Sequence, residues 1–381
     1  MFFPGGRADE TEDLAGLTAL TLRTSLRGTQ NRTAEEISAQ AEGLGSSIRF
    51  SSEPDYFSYS MNLLSEHFET GLEILADVIL HPTFPEEGFR KEQESLLNFL
   101  EQERDDMYRY PLKLLFERLF AGHAYGLPAN GRAEVIQACD RNSLVTWHRR
   151  LLGAPTVVVV GAAEHQRLRD LIEHYFGTLG PARPVPPPNV NLPPLGTLAP
   201  NVEMREKEQT AIGLGFRGPH FADDDYYALT VLQNAISGLG GRFFEELRGR
   251  RSLAYTVHAY LVSRRRGGAF VAYIATSPEN EQDALEGLLG EFDRLTRAPL
   301  SAEELRQAVQ YTVGAHQIGL EANRAKLFHY AHWHLLGRSL EEAEEFDRRV
   351  PKVTAEEIQQ AAKKYFDPER YALGVVRGRR D

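Results

Sequence analysis

Apolar and polar positions follow two periods along this chain, and the same succession of periods runs through it twice. Over 13–27 the apolar residues recur every three or four positions, the spacing of one helix face, until Gly28-Thr29 ends the run. "TAEEISAQAEGLG" (33–45) predicts a short second helix. "SIRFSSE" and "DYFSYSMNLL" read as strands, the latter alternating by two. "FETGLEILADVILHPTF" returns to the helical period and enters a Pro-containing turn. "PEEGFRKEQESLLNFLEQERDD" then predicts a long helix, and further helices and a strand at Thr156–Val160 close this half.

The second half repeats the order. A helix around Tyr226–Ile236 leads to a short helix in "GRFFEELRGRRS" (241–252). The strands "AYTVHAYLVS" and "GAFVAYIAT" follow, then the helices "ENEQDALEGLLGEFDRLTRAPL" and "SAEELRQAVQYTVGAHQIGLEA", and finally a strand at Tyr371–Val376. Ser301, with Glu304 three residues on, predicts a capping box at the last long helix. Between the halves, "PVPPPNVNLPPLGTLAP" (184–200) carries seven prolines and reads as an extended linker. The expectation is a duplicated domain: 1–183, a linker over 184–200, and 201–381. Hairpin-spaced strands with segregated helices predict the α+β class, each domain a mostly antiparallel sheet covered by helices.

Composition narrows the function classes. With 381 residues, 42% hydrophobic and 25% charged, the chain is globular and long enough for about two domains. No stretch approaches the ~20 apolar residues of a membrane span. A net charge of −11 argues against nucleic acid, which needs a basic face. The single cysteine, Cys139, makes no intrachain disulfide, builds no thiolate zinc site alone, and fits a reducing compartment. "MFFPGGRADE" shows no targeting pattern, so the expected location is the cytoplasm of a bacterium, with export or organelle targeting left open.

Several residue groups invite a chemical reading. In "HYAHWH", His329 and His332 share a helix face, His334 points away, and no carboxylate lies nearby, so packing histidines are expected rather than a metal site. Gly238, Gly240 and Gly241 read as a backbone bend, because no Lys-Ser/Thr follows them as a phosphate loop requires. Cys139 and the histidines form no nucleophile pattern.

"GLTALTLRTSLRGT" (16–29) aligns without a gap with "GLAHFLEHMLFKGT"-like segments, and the chain resembles the insulinase, pitrilysin and mitochondrial processing peptidase family. "HPTF", "GHAYGLPANG" and "TVVVVGA" match further motifs of that family. So do "SGLGGRFFEELRGRRSLAYTVHAY", against "gGmsSRLfqeLRekrGLaYsvsa", and the closing "VTAEEIQQAAKKYFDPERYALGVV". The resemblance covers almost the whole chain. Members carry H-x-x-E-H on a helix, two histidines on one face for zinc with the glutamate polarising its water, and a remote glutamate as third ligand. In this register the histidine positions are Ala19 and Arg23, the base position is Leu22, and the remote ligand position is Phe99. Glu92 matches a family acidic position, and His123 falls in a structural loop. The resemblance therefore implies a vacated zinc site.

It also implies a role for Arg248 and Tyr255, seven residues apart, as in the pair that reaches the substrate carbonyl in the family. Taken alone, Arg248 beside Arg250 and Arg251 reads equally as a solvated helix end, and Tyr255 as a core aromatic. Both side chains donate well to an oxyanion. In two-chain members one chain holds zinc and the other this pair, the domains closing like a clamshell on a peptide. The resemblance thus implies a zinc-free subunit of a heterodimeric metallopeptidase, with no cofactor of its own, a zinc-bearing homologous partner, and a peptide that adds to a sheet edge. A homodimer is possible in isolation. The alternative is a non-catalytic scaffold resembling respiratory-complex core subunits.

Overall fold

The computed structural model describes residues 1–183, 195, 199–238 and 240–379, so the expected proline-rich linker falls almost entirely outside the described residues. The fold is α+β, with two compact units interleaved in sequence. One comprises Met1–Gln102, Leu127–Pro186 and Ala322–Leu335; the other comprises Glu103–Gly126, Pro187–Glu321 and Leu336–Asp381.

The first unit contains β1 (Phe2–Pro4), α1 (Leu17–Ser25), α2 (Ala34–Gly43), β2 (Arg49–Ser52), β3 (Tyr56–Ser60), α3 (Phe68–Leu80) and most of α4 (Glu86–Asp105). The three strands form an antiparallel sheet in the order β1-β3-β2. Central β3 is buried at all five residues, although its alternation predicted one wet face. Helices cover both of its sides. The Thr156–Val160 strand shrinks to one bridge, Phe2 to Thr156.

Helix α1 begins at Gly16, whose φ of 100° is open to glycine and strained for other residues. The buried Glu10 carboxylate accepts from the Gly16 and Thr18 amides at 3.0 and 2.8 Å. A carboxylate there complements the helix dipole. Burial raises the pKa of Glu10, and these donors oppose the rise. Gly131 crosses here so closely that a Cβ on it would lie 2.4 Å from the Gly16 Cα. The Gly16 and Gly131 motifs are therefore one packing feature. The Thr29 hydroxyl donates to buried Asp77 of α3 at 2.6 Å, which anchors the turn after α1.

After α4 come α5 (Arg109–Leu119), α6 (Ala133–Ala138), α7 (Arg141–Leu151) and α8 (His165–Phe176), of which α5 belongs to the second unit. That unit adds β4 (Asn201–Arg205), β5 (Thr210–Gly218), α9 (Asp225–Ile236), β6 (Thr256–Val262), β7 (Gly268–Thr276), α10 (Glu281–Arg297) and α11 (Ala302–Gly319). Helix α12 (Asn323–Leu335) packs in the first unit. The chain ends with α13 (Leu340–Glu344), α14 (Phe346–Arg349), α15 (Ala355–Tyr365) and β8 (Ala372–Gly378) in the second.

The second unit's sheet runs β4-β8-β5-β7-β6, antiparallel except for β4 with β8. Strands β4 and β5 have no counterpart in the sequence reading. "TAIGLGFRG" is interrupted by glycines that reduce its strand signal. Gly213 of β5 and Gly374 of β8 admit α5: a Cβ on them would stand 3.3 and 2.1 Å from the Pro111 carbonyl oxygen. The capping box at Ser301 and Glu304 forms as expected. Among the described residues no helix is long and apolar enough to cross a membrane.

Candidate functional site

The first candidate site lies where α1 meets α4. Ala19 is buried, and Leu22 sits inside the first unit's core with Leu17 and Leu20. At the positions where family members carry the first histidine and the base, this chain therefore has core side chains without lone pairs. Arg23 reaches the surface instead. Its Nε donates to Glu92 Oε2 at 2.8 Å, and its Nη2 donates to the Ser95 hydroxyl at 3.3 Å. Arg27 Nε donates to Glu92 Oε1 at 2.7 Å, and its Nη2 pairs with the same oxygen. Phe99 borders the same surface depression as Arg23 and Ser95.

These contacts invert the charge logic of a metal site. The Glu92 side chain is only 6% exposed, so its negative charge needs a nearby cation. Two guanidinium groups meet that need and engage both carboxylate oxygens. The zinc ion implied by the resemblance does not fit here: its ligand positions hold a methyl, a cation and a phenyl ring, and the remaining carboxylate is already committed. Among the described residues no three His, Cys, Asp or Glu side chains converge as a metal ion requires. Arg27 went unnoticed in the sequence, although its i, i+4 spacing from Arg23 was the available signal.

The second candidate site lies in the other unit. "FEELRGR" (Phe244–Arg250) forms a π-helix, a rare geometry often met at functional positions. Arg248 lies near its end and is exposed, its guanidinium 4.9 Å from the Phe244 ring centroid. Of its neighbours, Arg242 is held by Glu304 and Arg250 by Glu245 and Glu246, whereas exposed Arg251 has no carboxylate partner among the described residues. Arg248 has no carboxylate partner among the described residues. The backbone then turns through Ser252 at φ 53°, a left-handed conformation that costs a non-glycine residue about 1 kcal/mol. Leu253 and Ala254 are buried, and Tyr255 comes out again at 58% exposure.

The Tyr255 amide donates to the Ala275 carbonyl at 2.9 Å, aligning the residue with the start of edge strand β6. The two residues thus stand on either side of a short buried segment, both exposed and neither committed to an ion pair. Tyr255 is not the core aromatic that composition alone allowed.

The other marked residues serve packing. His332 is half-buried near Tyr56, its Nδ1 3.4 Å from the phenolic oxygen. Burial, helped by the neighbouring His329, lowers its pKa to about 4. His123 Nδ1 accepts from the Tyr125 amide at 3.1 Å. The Cys139 thiol is pushed up by burial and by Asp140, away from reactivity. Gly238 adopts φ 86°, and a Cβ on Gly241 would sit 2.4 Å from the Ser237 carbonyl oxygen, so both serve the bend before the π-helix.

The chain is 25% identical over 377 residues to "Uncharacterized zinc protease YmxG" of Bacillus subtilis, covering 97% of this chain and 90% of that protein. It is 26% identical over 380 residues to "Uncharacterized zinc protease Rv2782c" of Mycobacterium tuberculosis, covering 97% and 86%. Its fold matches a crystal structure of a peptidase M16 inactive domain from Pseudomonas fluorescens, with TM-score 0.90 and 21% identity over 100% of this chain and 92% of that one. A protease structure from Helicobacter pylori matches with TM-score 0.87 and 17% identity, covering 99% and 92%. The family model for insulinase (peptidase family M16) matches residues 1–130, that for the peptidase M16 inactive domain matches residues 138–311, and the chain accordingly belongs to the insulinase, or M16, peptidase family.

Proposed function

We propose that this chain is the zinc-free subunit of a heterodimeric metallopeptidase. It lends Arg248 and Tyr255 to the active site of a homologous partner that carries the zinc, and an extended peptide is the substrate. The observation that carries this reading is the exposure of both side chains on either side of the buried Leu253–Ala254 segment, neither held by a carboxylate, while Arg242 and Arg250 are paired. A guanidinium and a phenol so placed donate to the oxyanion that forms as a peptide carbonyl is attacked. Each such donor contributes roughly 3 kcal/mol of transition-state stabilisation. The Arg23–Glu92–Arg27 cluster supports the second part of the reading, because a chain with it needs its metal from elsewhere.

The test mixes this chain with a purified H-x-x-E-H chain of the same family from the same genome and follows peptide hydrolysis. Activity is expected from the mixture alone. Arg248→Ala and Tyr255→Phe should each lower kcat about 10²- to 10³-fold with the heterodimer intact on size-exclusion chromatography. A mixture whose activity ignores both substitutions refutes the donor role. A mixture that assembles and binds peptide without hydrolysis selects the scaffold reading instead.

A further inference from the structure

The depression where α1 meets α4 combines a surplus positive charge with a row of uncommitted hydrogen-bonding groups. It holds about 410 Å³ and is lined by Arg23 of α1 and by Lys91, Ser95, Asn98, Phe99 and Gln102 of α4. All of them belong to the first unit. On α4 the polar members recur every three or four residues, the spacing of one helix face.

The charge follows from the atoms that meet at Glu92. Two guanidinium groups share its single carboxylate, so one positive charge is left over. Arg23 uses its Nε side: Nε donates to Glu92 and Nη2 to the Ser95 hydroxyl oxygen. Arg27 likewise meets Glu92 through Nε and Nη2. The Nη1 groups of both arginines make no hydrogen bond among the described residues. A guanidinium has a second forked edge at Nη1 and Nη2. Arg23, 30% exposed, borders the depression with that edge open. The nearby charges leave the surplus standing. Lys91 is held by Glu87 at 2.7 Å, and Glu94 lies about 100° around α4 from Ser95, on the flank away from Glu92.

This set selects a carboxylate. A fork of two N–H groups matches its two oxygens, and a single surplus charge matches a monoanion. The Ser95 hydroxyl accepts from Arg23 and has its own proton still to donate. The side-chain amides of Asn98 and Gln102 make no hydrogen bond among the described residues, and each offers a peptide bond both a donor and an acceptor. Half-buried Phe99 adds an apolar surface beside them.

We propose that this depression recognises a peptide carboxylate that neighbours an apolar residue. The carboxylate sits on Arg23 and Ser95, the apolar side chain on Phe99, and the adjoining peptide bonds on Asn98 and Gln102. A chain terminus and an acidic side chain supply the same chemistry. The site contains neither Arg248 nor Tyr255, and its failure leaves the peptidase reading untouched.

Isothermal titration calorimetry of the whole chain, at low ionic strength where exposed charges are least screened, tests this with two peptide pairs. One is acetyl-Ala-Leu-Phe as the free acid and as the amide. The other is acetyl-Ala-Phe-Glu-Phe-Ala amide and its glutamine counterpart. At least one acid should bind about tenfold or more tightly than its neutral twin, the difference a hydrogen bond to a charged group makes, and the pair that discriminates identifies the source. Arg23→Gln should abolish the preference. Ser95→Glu, at an exposed position, sets a carboxylate beside Arg23 and should abolish it too, with unchanged melting temperature. Acid and neutral peptides that bind alike, or no saturable binding by any of them, overturn the proposal. So does a preference that survives Ser95→Glu, which would place the carboxylate elsewhere on the chain.

Discussion

Removing the cations around Glu92 should expose how strongly this carboxylate depends on them. The perturbation is Arg23→Met, Arg27→Met and their combination, which shorten the side chains and delete the charge. Glu92 is 6% exposed, Arg23 30% and Arg27 46%, so the anion is desolvated while its partners remain partly wet. At about 4 Å and an effective dielectric near 20, one pair is worth about 4 kcal/mol before desolvation, and solvent at the arginines reduces that. Loss of one arginine should therefore cost about 1–2 kcal/mol, more for Arg23 than for half-exposed Arg27. Loss of both leaves a buried unpaired charge and should cost about 3–5 kcal/mol. Urea unfolding followed by tryptophan fluorescence measures this directly, because Trp147 and Trp333 both lie in the first unit. Adding Glu92→Gln to the double variant should recover much of the loss. Three variants within about 0.5 kcal/mol of the parent would refute the argument, since surface ion pairs behave that way.

Three further outcomes follow from backbone strain, close packing and histidine burial. Ser252→Gly relieves the left-handed conformation at φ 53° and should stabilise the second unit by up to about 1 kcal/mol, read from its urea midpoint. Gly131→Ala drives a methyl against the Ala15 carbonyl oxygen and the Gly16 Cα, and should destabilise the first unit by about 2–4 kcal/mol in the same fluorescence assay. His332 has its pKa lowered to about 4, so below the ordinary histidine value of 6.5 the unfolded chain takes up the proton first. Its contribution to stability, about 3 kcal/mol at full development, is present at neutral pH and is lost as pH falls from about 6.5 toward 4. His332→Phe should flatten that part of the stability–pH curve, and an unchanged curve contradicts the assignment.

The residues that α1 places at the aligned positions, Ala19, Leu22 and Arg23, were legible because α1 is short and Gly16, Gly28 and Thr29 bracket it. Which side chains then balanced Glu92 was not legible. The Arg23–Glu92 contact joins residues 69 apart, and nothing local marks one carboxylate of α4 as buried. The spacing of Arg248 and Tyr255 was visible, whereas their exposure and freedom from carboxylates were not, since "LRGRRSLAY" reads equally as a solvated helix end leading to a core aromatic. Val157–Val160 shows the converse. Four β-branched residues carry strand propensity, yet a strand exists only where a neighbour supplies hydrogen bonds, and only Thr156 has one.

The sequence by itself determined the helices with strong period or caps, the α+β class and the repeated order of elements. These depend on residue identity and on spacings of two to four, which local physics reads directly. Tertiary structure alone decided that α5 packs with the second unit and α12 with the first, that both guanidinium groups converge on Glu92, and that glycines in β5 and β8 admit a helix. An amphipathic face specifies that it must be buried but not against what, and a buried charge selects its partner only after the chain has brought distant segments together.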